Sequence, residues 1–197
     1  MAPMETMDGL DALDLAVEGF GERLALVGDR WTVPTPCDDW DVRWLCAHVL
    51  GGNRFAVLTL GGTSASDAMA QIIAMRHIGE RPVDDLRAGA DEMSAAFAAP
   101  GARQRTVSHL AGELTGEQFL RLRIYDLLLH TWDLAKALGA PDDLDEVLVR
   151  RVLADIDAGH IGAAPGATEI AAASGLSPQD RLVVLTGRDP LWGQHLG

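Results

Sequence analysis

Apolar side chains recur at helical spacing in several stretches of the chain, a pattern typical of amphipathic helices. The first stretch covers residues 10–27 and ends at Gly28, a residue type that favours a helix C-cap. The second covers about residues 42–60 and follows an acidic connector in which Asp39 or Asp41 can cap the helix N-terminus. The pattern therefore predicts two long helices near the start of the chain.

Most of the remaining chain repeats this spacing. Residues 66–99 predict one or two helices broken near Gly79 and Pro82. The segment RQRTVSHLAGELTG differs, because its alternation and central glycine predict a short extended hairpin. Three further helices are predicted, at residues 117–138, at about residues 144–158, and from a start at Ser177 and Pro178. The predicted fold class is all-α, with additional short helices and a small hairpin.

Composition supports this fold class and argues against one class of function, nucleic-acid binding. Of the 197 residues, 48% are hydrophobic, and Ala, Leu and Val outnumber the aromatic residues that sheets prefer. The net charge of -13 argues against a nucleic-acid partner, which would need clustered Lys and Arg. No repeat or low-complexity linker divides the chain, so we expect one domain over residues 1–197 with its core at about 10–192.

The sequence also indicates a cellular compartment. Cys37 and Cys46 are the only cysteines, too few for a disulfide scaffold, and we expect both to be inert thiols. The first residues lack the basic start and apolar run of a signal peptide. No stretch reaches the roughly 20 apolar residues of a membrane span. We therefore expect a soluble cytoplasmic protein without a membrane partner.

The helix at 117–138 carries the residues most suggestive of chemistry. Its core stripe is apolar, and Asp126, His130 and Asp133 form a polar row beside that stripe, within the arc that should be buried. A buried carboxylate and imidazole need partners, and the i, i+4 spacing of Asp126 and His130 lets both reach one point. A metal ion there would satisfy both side chains, and so would a simple Asp–His hydrogen bond without a metal.

A histidine of the second helix is the candidate for a third ligand. His48 lies on an otherwise apolar face of the second helix, where it is either a ligand or a hydrogen-bonded core histidine. Gly51 and Gly52 follow within one turn and would leave a cavity beside it.

On the helix at 117–138 we expect a solvent face. Its members are Gln118, Arg121, Tyr125 and Lys136. We expect Trp40 and Trp132 to be packing residues, and the remaining histidines to be solvated: His77, His109, His160 and His195.

Three segments, in order and spacing, resemble the mycothiol-dependent maleylpyruvate isomerase family. They are CDDWDVRWLCAHVLGG, YDLLLHTWDLAKALG and SPQDRLVVLTGRDPLW. The resemblance extends from residue 10 to about residue 192, and it implies a DinB-like up-down four-helix bundle. It also implies a divalent metal held by His48, Asp126 and His130, with zinc expected first and nickel or iron as alternatives.

Two departures limit what the resemblance implies. The isomerase pattern has glutamate where this chain has Asp126, and one methylene less shortens the reach of the carboxylate by about 1.5 Å. The isomerase also carries an extra C-terminal domain that we expect this chain to lack, so the resemblance points to shorter relatives of undefined function. The particular isomerase substrate is therefore not assigned.

The function implied by the resemblance is a mycothiol-dependent thiol transferase or isomerase. Two histidines and one carboxylate leave open positions on the metal, where the sulfur of mycothiol would become a thiolate and attack a small electrophile. Asp133 is a candidate to orient an imidazole, whereas Arg54 and Arg123 are candidates to meet an anionic substrate or to form salt bridges. The alternatives are a non-enzymatic metal-binding domain with a structural or sensing role, as a monomer or homodimer, and a metal-dependent hydrolase.

Overall fold

The computed structural model describes residues 7–75, 78–173 and 175–193. Within these ranges the chain forms eight helices and one antiparallel hairpin. In chain order they are α1 (Gly9–Leu24), α2 (Val42–Leu60), α3 (Ala65–Met75), α4 (Pro82–Ala98), β1 (Thr106–His109), β2 (Gly112–Thr115), α5 (Gly116–Leu138), α6 (Glu146–Asp157), α7 (Ala167–Ala173) and α8 (Pro178–Leu185). The all-α prediction with one small hairpin is confirmed.

Four of the helices form the predicted bundle. α1 packs against α4 and α5, and α2 packs against the same two helices, so the four enclose one apolar core. The core stripe predicted for α5 is buried along its whole length, from Leu120 to Leu138. α3 packs on α2, the hairpin lies against α2 and α5, and α6 joins α5 to α8. None of the described helices combines the length and apolar character needed to cross a membrane.

Local capping interactions explain where the helices begin and end. α2 starts where Asp41 accepts a hydrogen bond from the backbone N–H of Trp44 at 2.8 Å, which selects Asp41 over Asp39 as the N-cap. Thr115 and Gln118 form a capping box at the start of α5, and Gly139, at φ 60°, ends that helix. Ser177 caps α8 as predicted.

The structure corrects several details of the predicted elements. α1 ends at Leu24 rather than near residue 27, and α7 was not predicted. The expected solvent face of α5 is wrong for three of its four residues, which are half-buried. Arg121 forms an ion pair with Asp155 of α6, and Lys136 donates to the backbone carbonyl of Pro190 at 3.2 Å. Tyr125 is half-buried.

Candidate metal centre

His48, Asp126 and His130 meet where α2 crosses the middle of α5. The Nε2 atoms of His48 and His130 lie 3.1 Å and 3.3 Å from the same carboxylate oxygen, Oδ1 of Asp126. The three donor atoms lie within 4.8 Å of one another. The i, i+4 spacing on α5 places Asp126 beside His130, and the packing of α2 against α5 adds His48. The structure thus brings together the three residues predicted as ligands.

The second nitrogen of His130 is held by a buried carboxylate. Nδ1 lies 2.9 Å from Oδ2 of Asp133, which is fully buried. Asp133 in turn accepts two hydrogen bonds of 2.7 Å from the guanidinium of Arg188, in the segment after α8. Because the carboxylate can only accept, Nδ1 carries the hydrogen, and the lone pair of a neutral His130 ring is on Nε2. That lone pair faces Asp126.

A positive charge is needed between Nε2 of His130 and Oδ1 of Asp126. An Nε2 lone pair and a carboxylate oxygen are both acceptors, so they approach to 3.3 Å only when a proton or a metal cation lies between them. Without a metal, burial opposes charge on His130, but Asp126 and Asp133 outweigh it and hold the His130 pKa well above its usual value. Burial likewise raises the pKa of Asp126, but His130, His48 and Arg123 together hold it well below its usual value. Two imidazoles and a carboxylate with this demand for a cation fit a divalent transition metal.

Arg123 fixes the orientation of the Asp126 carboxylate. Its Nη1 donates to Oδ2 of Asp126 at 2.5 Å, and its Nη2 donates to Oδ1 of Asn53 at 2.9 Å. Oδ1 of Asp126 is therefore the oxygen directed at the two histidines. The guanidinium is buried and fills the space beside Gly52, where a Cβ would lie 2.5 Å from Nη1. Gly51 and Gly52 nevertheless line a cavity together with His48, as the sequence predicts.

Arg54, the other arginine considered for an anionic substrate, is not part of this site. It is an exposed residue of α2, and its guanidinium lies 3.6 Å from the carboxylate of Glu92 on α4. This is the salt bridge that the sequence predicts for Arg54 as the alternative to substrate binding. A contact of this kind contributes little to stability.

Three residues at the site were not recognised in the sequence. The Trp40 ring lies 4.9 Å from the His48 ring and 5.8 Å from the His130 ring, so it covers the centre as well as packing. The spacing of Trp40, Trp44 and His48 by four residues each was an available signal. Arg188 and Cys37 reach the site through the tertiary fold, and no local pattern marks them.

Cys37 creates a second cluster of potential ligands with His130 and Asp133. Its Sγ donates to Oδ2 of Asp133 at 3.2 Å and lies 3.9 Å from Nδ1 of His130. We consider this cluster the weaker metal site, because Arg188 already neutralises Asp133 and would repel a second cation. Cys37 is nevertheless half-buried against the site rather than isolated from it.

The other cysteine and histidines lie elsewhere. Cys46 is buried on α2, and burial raises the pKa of its thiol to about 12. His160 is exposed, as expected. His109 is not solvated as expected, because its half-buried ring packs 4.9 Å from the ring of Phe119. His77 and His195 lie outside the described residues.

A cavity of about 400 Å³ opens beside the centre. His48 and Asp126 lie at its wall, together with side chains from α2, α3, α5 and the hairpin loop. The His48 ring is 38% exposed, whereas the His130 ring is 8% exposed. A small molecule could therefore reach the centre from the His48 side.

Comparisons with known proteins agree with this architecture. The profile of the mycothiol maleylpyruvate isomerase N-terminal domain matches residues 12–135, a shorter range than the resemblance in the sequence suggested. Two uncharacterized proteins of Mycobacterium tuberculosis, from strains CDC 1551 / Oshkosh and ATCC 25618 / H37Rv, are each 36% identical over 154 residues, or 75% of this chain and 78% of theirs.

Solved structures show the same fold. A crystal structure of the mycothiol-dependent maleylpyruvate isomerase superposes with a TM-score of 0.55 at 17% identity, and that of a histidine-to-alanine mutant with 0.58 at 19% identity. Each comparison covers 75% of this chain and 68% of the isomerase.

Proposed function

Because the chain belongs to the mycothiol maleylpyruvate isomerase N-terminal domain family, we propose that it binds a divalent metal ion through His48, Asp126 and His130 and performs mycothiol-dependent thiol transfer or isomerisation. The observation that carries the proposal is the convergence of three potential metal-ligating atoms within 4.8 Å of one another. Zinc is the metal we expect, with nickel or iron as alternatives.

The residues around the centre have separable roles in this proposal. Asp133 and Arg188 orient the His130 ring, and Arg123 orients the Asp126 carboxylate, so two ligands are held in place before the metal arrives. Trp40 packs against the rings of both histidines and covers one side of the centre. A metal bound here would lower the pKa of a coordinated thiol, which is the chemistry it supplies.

The cavity favours a catalytic role over a purely structural ion. A structural site is closed by a fourth protein ligand, and Asp133 is the nearest candidate. Asp133 instead binds the far nitrogen of His130 and the Arg188 guanidinium. With three protein ligands and an adjacent cavity of about 400 Å³, the site has room for a thiol and an electrophile.

We also infer that α6–α8 belong to the same domain as the bundle, because Arg188 beyond α8 binds Asp133 of α5.

Metal analysis and thiol consumption test the proposal. Protein purified without chelators should contain about one divalent metal per chain by elemental analysis. His130→Ala should lose that metal, whereas the matched control His160→Ala, at an exposed histidine, should retain it. The metal-loaded protein should accelerate the loss of mycothiol in the presence of electrophiles. No stoichiometric metal, or equal metal content in both variants, would refute the metal site; intact metal without thiol consumption would leave a non-enzymatic metal-binding domain.

A further inference from the structure

The cavity beside the metal centre has an apolar wall. Apart from the residues at the centre, it is lined mainly by aliphatic and aromatic side chains, including Phe55, Met69, Ile72, Phe119 and Leu122. A cavity of about 400 Å³ matches the lower part of the range for small-molecule sites, which is room for one or two aromatic rings. Its walls come from three helices and the hairpin loop, so it is a formed concavity rather than a flat patch.

The mouth of this cavity is also apolar. Trp44, Ile73 and Leu110 line it, and they are 43%, 56% and 63% exposed. Large apolar side chains exposed together around one concavity mark a binding site more often than a chance surface feature. The surface at this point therefore favours an apolar ligand.

The charges at the cavity wall cancel. Arg123 and Asp126 are the charged residues among those that line it, and they form an ion pair of 2.5 Å. Arg123 also donates to Asn53, so its charge is committed inside the protein. His109 adds no cation, because burial lowers its pKa. In the part of the cavity away from His48 and Asp126, an anionic group would meet apolar walls without a compensating charge, which is costly.

We propose that this cavity binds the electrophilic substrate and selects one with an uncharged, apolar, ring-sized body. That the ligand is a substrate rests on the proposed thiol-dependent function. The reactive carbon would lie at the His48 and Asp126 end, and the apolar body would extend between α2, α3 and the hairpin loop. With a benzylic chloride, the thiol loses its proton to solvent, the sulfur bonds to the benzylic carbon, and chloride leaves with the electrons of the broken C–Cl bond.

Ligand binding without catalysis tests the cavity first. The full chain, freed of metal so that no carboxylate can bind an ion, is titrated with the neutral dye N-phenyl-1-naphthylamine, and its fluorescence is competed with 1-naphthylmethanol or with 1-naphthoate. We expect saturable binding, displaced at least about tenfold better by the alcohol than by the carboxylate, a difference of about 1.4 kcal/mol. Absence of saturable binding, or equal displacement by both competitors, would overturn the inference.

A matched pair of variants assigns the binding to this cavity. Ile73→Glu places a carboxylate at the mouth, and Val147→Glu places one at another exposed apolar residue, on α6 and outside the cavity. We expect Ile73→Glu to weaken dye binding about tenfold and Val147→Glu to leave it unchanged. Ile73→Arg should shift the preference towards 1-naphthoate. Equal affinities in the two glutamate variants would place the dye elsewhere and contradict the proposal.

Turnover separates this inference from the proposed function. Mycothiol consumption is compared with 4-nitrobenzyl chloride and with the anionic 4-(chloromethyl)benzoate, each corrected for the uncatalysed rate. A kcat/KM at least about tenfold higher for the neutral compound is expected. Equal turnover of both would support the thiol-dependent function and refute the selectivity. Selective dye binding with no turnover of either would refute the proposed function while supporting an apolar binding site.

Discussion

Replacing Arg188 by methionine tests whether the C-terminal segment holds the candidate ligand His130 in place. The change removes both 2.7 Å hydrogen bonds to Asp133, whose carboxylate is fully buried, and among the residues that the structure describes it leaves His130 and Cys37 as partners. Removing one member of a buried ion pair typically costs about 3–5 kcal/mol. Since the Arg188 side chain is 14% exposed and His130 still faces Asp133, we expect the lower end, about 3 kcal/mol.

The pH dependence of this loss has a definite sign. Burial alone would raise the pKa of Asp133, but Arg188 and His130 hold it below its usual value. A carboxyl group with a depressed pKa stabilises the fold above its unfolded pKa and loses that contribution as the pH falls through the folded value. The difference between the wild-type protein and Arg188→Met should therefore be full at pH 7 and should shrink below about pH 4.

Urea unfolding of the chelator-treated proteins measures the loss. The matched control is Arg181→Met, which removes the surface contact with Asp157 and should cost at most about 1 kcal/mol. Adding Asp133→Asn to Arg188→Met should recover much of the lost stability, because no charge is then buried alone. Zinc affinity of Arg188→Met should fall about 10–100-fold. Equal stability of the two arginine variants, with unchanged zinc affinity, would refute the reasoning.

Three further outcomes follow from the packing around the centre. Gly52→Ala should lower the free energy of unfolding by about 1–3 kcal/mol in thermal or urea unfolding, because its Cβ would lie 2.5 Å from the buried Arg123 guanidinium. Gly19→Ala, with its nearest contact at 3.9 Å, should instead be neutral or stabilising by up to about 1 kcal/mol, and a loss as large as that of Gly52→Ala would contradict this account. Iodoacetamide at pH 8 should leave Cys46 unmodified in the folded protein, since its pKa is raised to about 12; mass spectrometry showing modification before unfolding would disprove its protection. Cys37→Ser should retain about one metal per chain in elemental analysis, and its loss would move the centre to the other cluster.

Features that depend on near neighbours in the chain can be predicted from the sequence alone. The bounds of α2, the Ser177 cap of α8 and the buried stripe of α5 follow from capping groups and apolar spacing within a few residues. The approach of Asp126 to His130 is of the same kind, because residues four apart lie on one side of a helix. α7 was missed, since seven residues give too short a period to recognise.

The distant groups that complete the centre are brought there by the packing of separate segments. Cys37 and Arg188 meet Asp133 from positions 96 and 55 residues away, and no local pattern encodes such contacts. No local pattern predicts that Arg123 of α5 occupies the space beside Gly52 of α2 either. His48 could be placed beside Asp126 in advance only through the family resemblance, since the packing of α2 on α5 brings them together. Local patterns fix helices and their faces, whereas the environment of a buried charge depends on every segment that packs around it.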